Sequence, residues 1–228
     1  MCRSCCAQAR GGVMSGQVQS IGGQHVLFLM AATPEYGPHL QARFAPVITG
    51  VGPVEGAVAV TATLAALKHE GRLPDLVVSL GSAGSARLEH CAVFQASAVG
   101  YRDMDASALG FEKGVTPFLD LPARLQLPLH IAGLPSATLS TGANIVSGAA
   151  YAGIAEDMVD MESFAVLRAC QRFDVPLVAL RGISDGAAPL EGLHSWTEYL
   201  HIIDEKLAEA VDMLVDQIRA GGLAQAPG

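Results

Sequence analysis

The sequence predicts an α/β fold, with a mostly parallel sheet covered by helices on both faces. Short apolar runs rich in Val, Leu and Ile alternate with longer segments of helical periodicity, the pattern of strands buried on both sides. Several of these runs end in glycine-bearing polar stretches, such as "LGSAGS" (80–85), where backbone can turn sharply or approach a ligand closely. Composition agrees: the 228 residues are 50% hydrophobic and 16% charged, which suits a single domain with a large core.

Taken in order, "HVLFLMAA" (25–32) reads as a buried first strand and "APVITGVG" (45–52) as another. "PVEGAVAVTATLAALKHEG" (53–71) is a helix, with Pro53 suited to its first position and Gly71 to its end. "PDLVVSLGSAGS" (74–85) is a second buried strand running into glycines. The segments 91–103, 127–142 and 176–184 are strand-like, and 163–174 is helical. A long helix over 195–222 repeats Leu200, Ile203, Leu207, Val211, Leu214 and Ile218 at steps of three and four. The expected domain is 24–222, between a flexible tail over 1–23 and a C-terminal tail over 223–228.

The totals exclude some classes. A net charge of -8 argues against nucleic acid, whose phosphates need clustered Lys and Arg. No apolar run approaches the roughly 20 residues that span a bilayer. "MCRSCCAQARGGVMSG" has no hydrophobic region after its charges, so the expectation is a cytoplasmic protein. Cys2-x-x-Cys5 lacks a second pair with zinc-ligand spacing, and Cys6 adds none. Cys91 and Cys170 lie in apolar surroundings and read as reduced core residues.

Ligands in open α/β sheets bind beyond the carboxyl ends of strands. The polar residues at such ends are Glu35 in "AATPEYGP", Ser82 in "LGSAGS", Glu162 in "VDMES" and Asp185 in "RGISDG". "LGSAGS" matches neither phosphate-loop glycine pattern and alone reads as a tight turn. Singly, Glu35 reads as a solvated loop residue, Glu162 as an acid at a helix N-terminus and Asp185 as a turn former. Three carboxylates at three strand ends of one sheet together indicate a site. Arg181, inside the same apolar run as Asp185, needs a partner if that strand is buried.

The order of "GSAGS", "YRDMDASALGFEKGVTP", "STGANIVSG" and "VDMESFAVLRACQRFDVPLVALRGISD" resembles the 5'-methylthioadenosine/S-adenosylhomocysteine nucleosidases of the purine nucleoside phosphorylase and uridine phosphorylase superfamily. The resemblance covers about residues 25–218. It implies a single-domain three-layer α/β/α sandwich around a mixed, mostly parallel twisted sheet, assembled as a homodimer, with no metal or cofactor and a place in methionine salvage. The implied reaction is cleavage of a ribose–adenine N-glycosidic bond. Asp185 is then the acid at adenine N7, Glu162 holds the ribose hydroxyls and Met161 packs beneath the sugar. Glu35 orients the attacking water, with Ser82 and Arg181 beside it. Ala83, Gly84, Val51 and the Ile145 backbone line the substrate. The loop over 101–117 reaches the neighbouring subunit's site, with Leu109 and Pro117 facing the 5' substituent.

Two departures bear on substrate choice. Asn144 stands where the family commonly stacks an aromatic on adenine, leaving Tyr151 or Phe94 to supply a ring. The segment between Ile145 and Glu162 is also short. Phosphorolysis is the nearest alternative, but "AATPEYGP" has no glycine-rich loop or arginine, and Ser79 stands where an anion site would want an arginine. Arg181 alone is thin for a dianion, so hydrolysis is expected. A catalytically silent nucleoside-binding protein is the third reading.

Overall fold

The computed structural model describes residues 17–186, 188 and 191–225. Alternating burial builds its sheet. In β2 (Gln24–Met30), Val26, Phe28 and Met30 face one core, and Leu27 and Leu29 face the other. β4 (Leu76–Gly84) and β10 (Leu177–Asp185) divide their apolar residues between the same two cores. Such double-sided burial requires cover on both faces. α2 (Pro53–His69) and α3 (Ser163–Gln171) pack together over one face. α5 (Leu200–Arg219) covers the other, with the short α1 (Pro38–Gln41) against it.

Nine strands form the main sheet, in the order β1-β2-β4-β10-β5-β8-β9 with β3 on β2 and β6 on β5. The remaining ranges are β1 (Gln19–Ile21), β3 (Val47–Ile48), β5 (Val93–Tyr101), β6 (Arg124–Gln126), β8 (Ser136–Thr141) and β9 (Met158–Asp160). β2–β4, β4–β10, β5–β8 and β8–β9 are parallel, whereas β10–β5 is antiparallel. This is the expected mixed sheet of a three-layer α/β/α domain. β9 also returns to β4 through Gly84 and Val159, so the far end of the sheet closes on itself.

Several boundaries differ from expectation. Residues 17–23 belong to the fold rather than to a tail, because β1 forms a hairpin with β2; residues 1–16, with Cys2, Cys5 and Cys6, lie outside the described residues. At the other end, β11 (Ala224–Gln225) pairs with β7 (Leu129–His130). Positive φ at Gly133, followed by Pro135, splits the strand-like segment 127–142 into β7 and β8. The run over 45–52 keeps only two strand residues. The long helix is divided into α4 (Leu193–Thr197) and α5, because Tyr199 is non-helical at the junction. Cys170 is buried and its thiol is pushed up to about 12 by desolvation; Cys91 is only half-buried. Among the described residues, no helix is long and apolar enough to cross a membrane.

Two close contacts fix α5, one on α1 and one on the sheet. Asp204 on α5 is buried and accepts the backbone N–H groups of His39 (2.9 Å) and Leu40 (3.1 Å), capping α1 just beyond Glu35. Gly182 in β10 lies directly beneath Ile203, and a Cβ there would fall against Ile203 Cγ2. Gly182→Ala should therefore destabilise the fold by about 1–3 kcal/mol through overpacking. At about 2–4 °C per kcal/mol for a chain of this size, the loss is readable by circular-dichroism melting. An unchanged midpoint would mean that α5 packs more loosely on β10 than described.

Candidate active site

The carboxyl ends of β2, β4 and β10 and the β8–β9 loop open onto one cavity of about 260 Å³. Its walls include Glu35, Val51, Ser82, Ala83, Gly84, Asn144, Ile145, Met161, Glu162 and Asp185. These are ten of the thirteen residues singled out in the sequence. Leu109 and Pro117 sit on the loop after β5, and neither lines the cavity of this chain; Leu109 is exposed. Arg181 also lies off the main cavity. It borders a smaller chamber of about 10 Å³, shared with Glu35, Ser79, Ser82, Thr49 and Glu162.

Glu35 is delivered by a short 3-10 turn, Thr33–Glu35, with Pro34 in its first turn. Its Oε1 accepts both the backbone N–H and the hydroxyl of Ser82, each at 2.7 Å. Gly81 permits this approach, because a Cβ would sit 3.2 Å from Oε1. Burial raises the Glu35 pKa, while the Ser82 hydrogen bonds and the Arg181 charge oppose the rise.

Glu162 precedes α3 but does not cap it. Its Oε1 accepts the Gly52 N–H at 2.7 Å, at the turn where Gly52 has φ +100°. Burial first, then the Asp160 charge, push Glu162 up to about 7, against the Gly52 hydrogen bond. The capping acid is Asp160, which accepts the Ser163 N–H at 3.0 Å.

Asp185 ends β10 where its pairing with β4 slips by one residue, so that Asp185 lies opposite Gly84. Oδ1 accepts the Ser184 hydroxyl at 2.7 Å, and Oδ2 accepts the Tyr151 hydroxyl at 3.4 Å. Any side chain at position 84 would collide with the Tyr151 hydroxyl and come within 2.7 Å of Asp185 Oδ2. Burial and the neighbouring Asp185 push the Tyr151 pKa up.

Arg181 was expected beside Glu35, but its direct partner is Asp160. Nε and Nη2 donate to Asp160 Oδ2 at 3.2 and 3.0 Å. The other donors meet the Ser79 and Leu180 carbonyls and the hydroxyls of Ser79 and Ser163. Arg181 acts on Glu35 only through its charge.

Sequence reasoning missed Asp160, Arg102 and Trp196, all of which line the cavity. Arg102 engages five acceptors: the carbonyls of Ser140, Gly142, Asn144 and Asp160, and the Asn144 side-chain oxygen. Guanidinium has five N–H donors, so Arg102 is fully occupied in tying the loop that carries Asn144 and Ile145 to the ends of β8 and β9. Trp196 is the aromatic ring on the cavity wall, in place of the expected Tyr151 or Phe94. Its signal was available, since the chain has one tryptophan; Asp160 stands two residues before Glu162, and Arg102 follows directly on the end of β5.

A mixed sheet with a carboxylate-lined cavity at its strand ends defines an α/β domain that takes a small ligand beyond its strand ends. The chain belongs to the Phosphorylase superfamily, whose family model matches residues 42–218. It is 29% identical over 189 residues to the 5'-methylthioadenosine/S-adenosylhomocysteine nucleosidase of Staphylococcus aureus (strain MRSA252), covering 75% of this chain and 80% of that protein. Its fold is similar to the corresponding nucleosidase of Colwellia psychrerythraea 34H in complex with adenine (TM-score 0.72, 22% identity, 91% of this chain and 99% of that one). A futalosine hydrolase mutant of Helicobacter pylori is similar in fold as well (TM-score 0.71, 19% identity, 84% and 98% covered).

Glu162 supplies a pH signature. Folded Glu162 binds its proton more tightly than the unfolded side chain, so ionisation weakens the fold. Its contribution to stability falls as pH rises from about 4.5 to about 7. Glu162→Gln removes this dependence, so the variant's urea midpoint relative to the unsubstituted protein should climb across that window. A pH-independent difference would rule out the raised pKa.

Proposed function

We propose that the protein is an N-glycosyl hydrolase that cleaves adenine nucleosides such as 5'-methylthioadenosine and S-adenosylhomocysteine, releasing adenine and the thioribose product. The observation that carries this reading is the division of the cavity. Glu35, Ser82 and Glu162 also border the small chamber beside the cavity, whereas Asp185 lines only the main cavity and is held by Ser184 and Tyr151. Glycosidic cleavage leaves oxocarbenium-like charge on the sugar and negative charge on the departing base. Asp185 donates a proton or hydrogen bond at adenine N7. Glu162 holds the ribose hydroxyls over Met161, and Glu35 orients water and accepts its proton. The two carboxylates also stabilise the cationic sugar.

Water is favoured over phosphate by the arginines. Arg102 is fully engaged by the β8–β9 loop and Arg181 by the Asp160 network, whereas a dianion calls for available guanidinium forks. The small chamber beside Glu35, about 10 Å³, is on the scale of one water. The similar proteins of Staphylococcus aureus and Colwellia psychrerythraea are nucleosidases, which supports the same chemistry.

The working unit in this reading is a cytoplasmic homodimer acting in methionine salvage. Val51, Val54 and Val58 are exposed at the start of α2, as are Leu109 and Phe118 on the loop after β5. Pairing through these apolar residues brings Leu109 and Pro117 to the neighbour's 5' substituent.

The test is release of adenine from methylthioadenosine by purified protein, with and without phosphate. Free sugar without phosphate is expected; strict phosphate dependence with a ribose-1-phosphate product would falsify the hydrolase reading. Asp185→Asn should lower turnover by about 100-fold or more while nucleoside binding persists in calorimetry. Unchanged turnover would remove Asp185 from the role of acid.

A further inference from the structure

Trp196 stands on α4, half-buried on the cavity wall and 114 residues from Ser82. Its indole Nε1–H donates to Ser82 Oγ at 2.8 Å. Ser82 in turn donates its hydroxyl proton and its backbone N–H to Glu35 Oε1, both at 2.7 Å. An indole N–H can only donate, and a hydroxyl has a single proton. With its acceptor side engaged by Trp196, the Ser82 hydroxyl has its proton directed at Glu35. Oε1 then receives two donors and is held as the unprotonated oxygen of the carboxylate.

We propose that Trp196 is a positioning residue for Glu35, acting through Ser82, and that this chain makes Oε2 the oxygen that accepts the nucleophile's proton. Only the last clause rests on the hydrolase reading; the coupling between indole, hydroxyl and carboxylate does not. A plain aromatic wall would need no N–H, and phenylalanine would serve it equally well. The indole nitrogen instead meets the hydroxyl that donates to Glu35.

The charged groups acting on Glu35 are Arg181 of β10, which favours its anion, and Glu162 ahead of α3, which opposes it. Asp160 of β9 lies behind Arg181. The α4 segment itself carries Glu191, His194 and Glu198. Burial already raises the Glu35 pKa, and the Ser82 hydrogen bonds pull it down. Losing the indole N–H frees the Ser82 rotor and weakens that pull, so Glu35 should ionise at higher pH.

The test compares Trp196→Phe, Ser82→Ala and the double variant. Trp196→Phe should lower kcat by about 3- to 10-fold, the scale of one net hydrogen bond, with KM little changed. The acid limb of kcat/KM should move to higher pH. In the Ser82→Ala background, Trp196→Phe should move that limb no further. A loss confined to KM with an unmoved limb, or additive shifts in the double variant, overturns the proposal.

A second arm needs no turnover. Trp196 is the chain's only tryptophan, so its emission in the ligand-free protein should titrate with Glu35. The titration should disappear in Glu35→Gln and in Ser82→Ala, with circular dichroism confirming that both are folded. Emission that does not titrate, or a titration that survives in Glu35→Gln, overturns the proposal. If the protein cleaves no nucleoside, the hydrolase reading fails and the emission arm alone decides the coupling.

Discussion

The site depends on one buried ion pair, Arg181 with Asp160. Their side chains are 3% and 1% exposed, so neither charge is solvated by water. Taking two ions from water costs several kcal/mol each, and the pair persists only where the remaining hydrogen-bonding capacity is satisfied. That requirement organises its surroundings. Ser79 on β4, Ser163 at the start of α3 and Thr141 on β8 all donate to or accept from the pair. The pair thus ties β4, β8, β9, β10 and α3 together beneath the cavity, and this shared frame fixes the spacing of Glu35, Glu162 and Asp185.

The same frame shapes the chemistry above it. Glu35 and Glu162 are both held in apolar surroundings that favour their neutral forms, and each is drawn back toward the anion by one glycine-permitted contact and by Arg181. Glu162, pushed up to about 7, can exchange a proton near neutral pH, which a fully solvated glutamate does poorly. Arg181 therefore acts on both acids through its charge and not by a direct hydrogen bond.

Much of this was legible in the sequence. The α/β class and the two-faced burial of β2, β4 and β10 follow from periodicity, and Glu35, Ser82, Glu162 and Asp185 from strand-end polarity; Val51, Ala83, Gly84, Asn144, Ile145 and Met161 come only through the family resemblance. What was not legible depends on distant residues meeting. Arg181 and Glu35 share a strand-end neighbourhood, and charge alone pairs them; only the fold shows that Asp160, on another strand, takes the guanidinium. Arg102 resembles any loop arginine until its five carbonyl and amide acceptors are seen together. Trp196 falls in a run whose apolar spacing merges with α5, and the break at Tyr199 becomes visible only once the ring turns into the cavity. Element ends failed for a similar reason, because β1 and β11 are too short to show periodicity and exist through their partners.

The loop joining β8 to β9 carries Asn144 and Ile145, which line the cavity, and Tyr151, whose hydroxyl donates to Asp185 from outside the wall. It is anchored by Arg102 rather than by the Arg181–Asp160 pair, and β9 rejoins β4 at the single pair Gly84–Val159. The consequence is modularity. One stretch of the cavity wall is borne by a loop, whereas Glu162 and Asp185 are carried by the ends of core elements. Substitutions in that loop therefore reshape the cavity wall without touching the side chains of the buried Arg181–Asp160 pair.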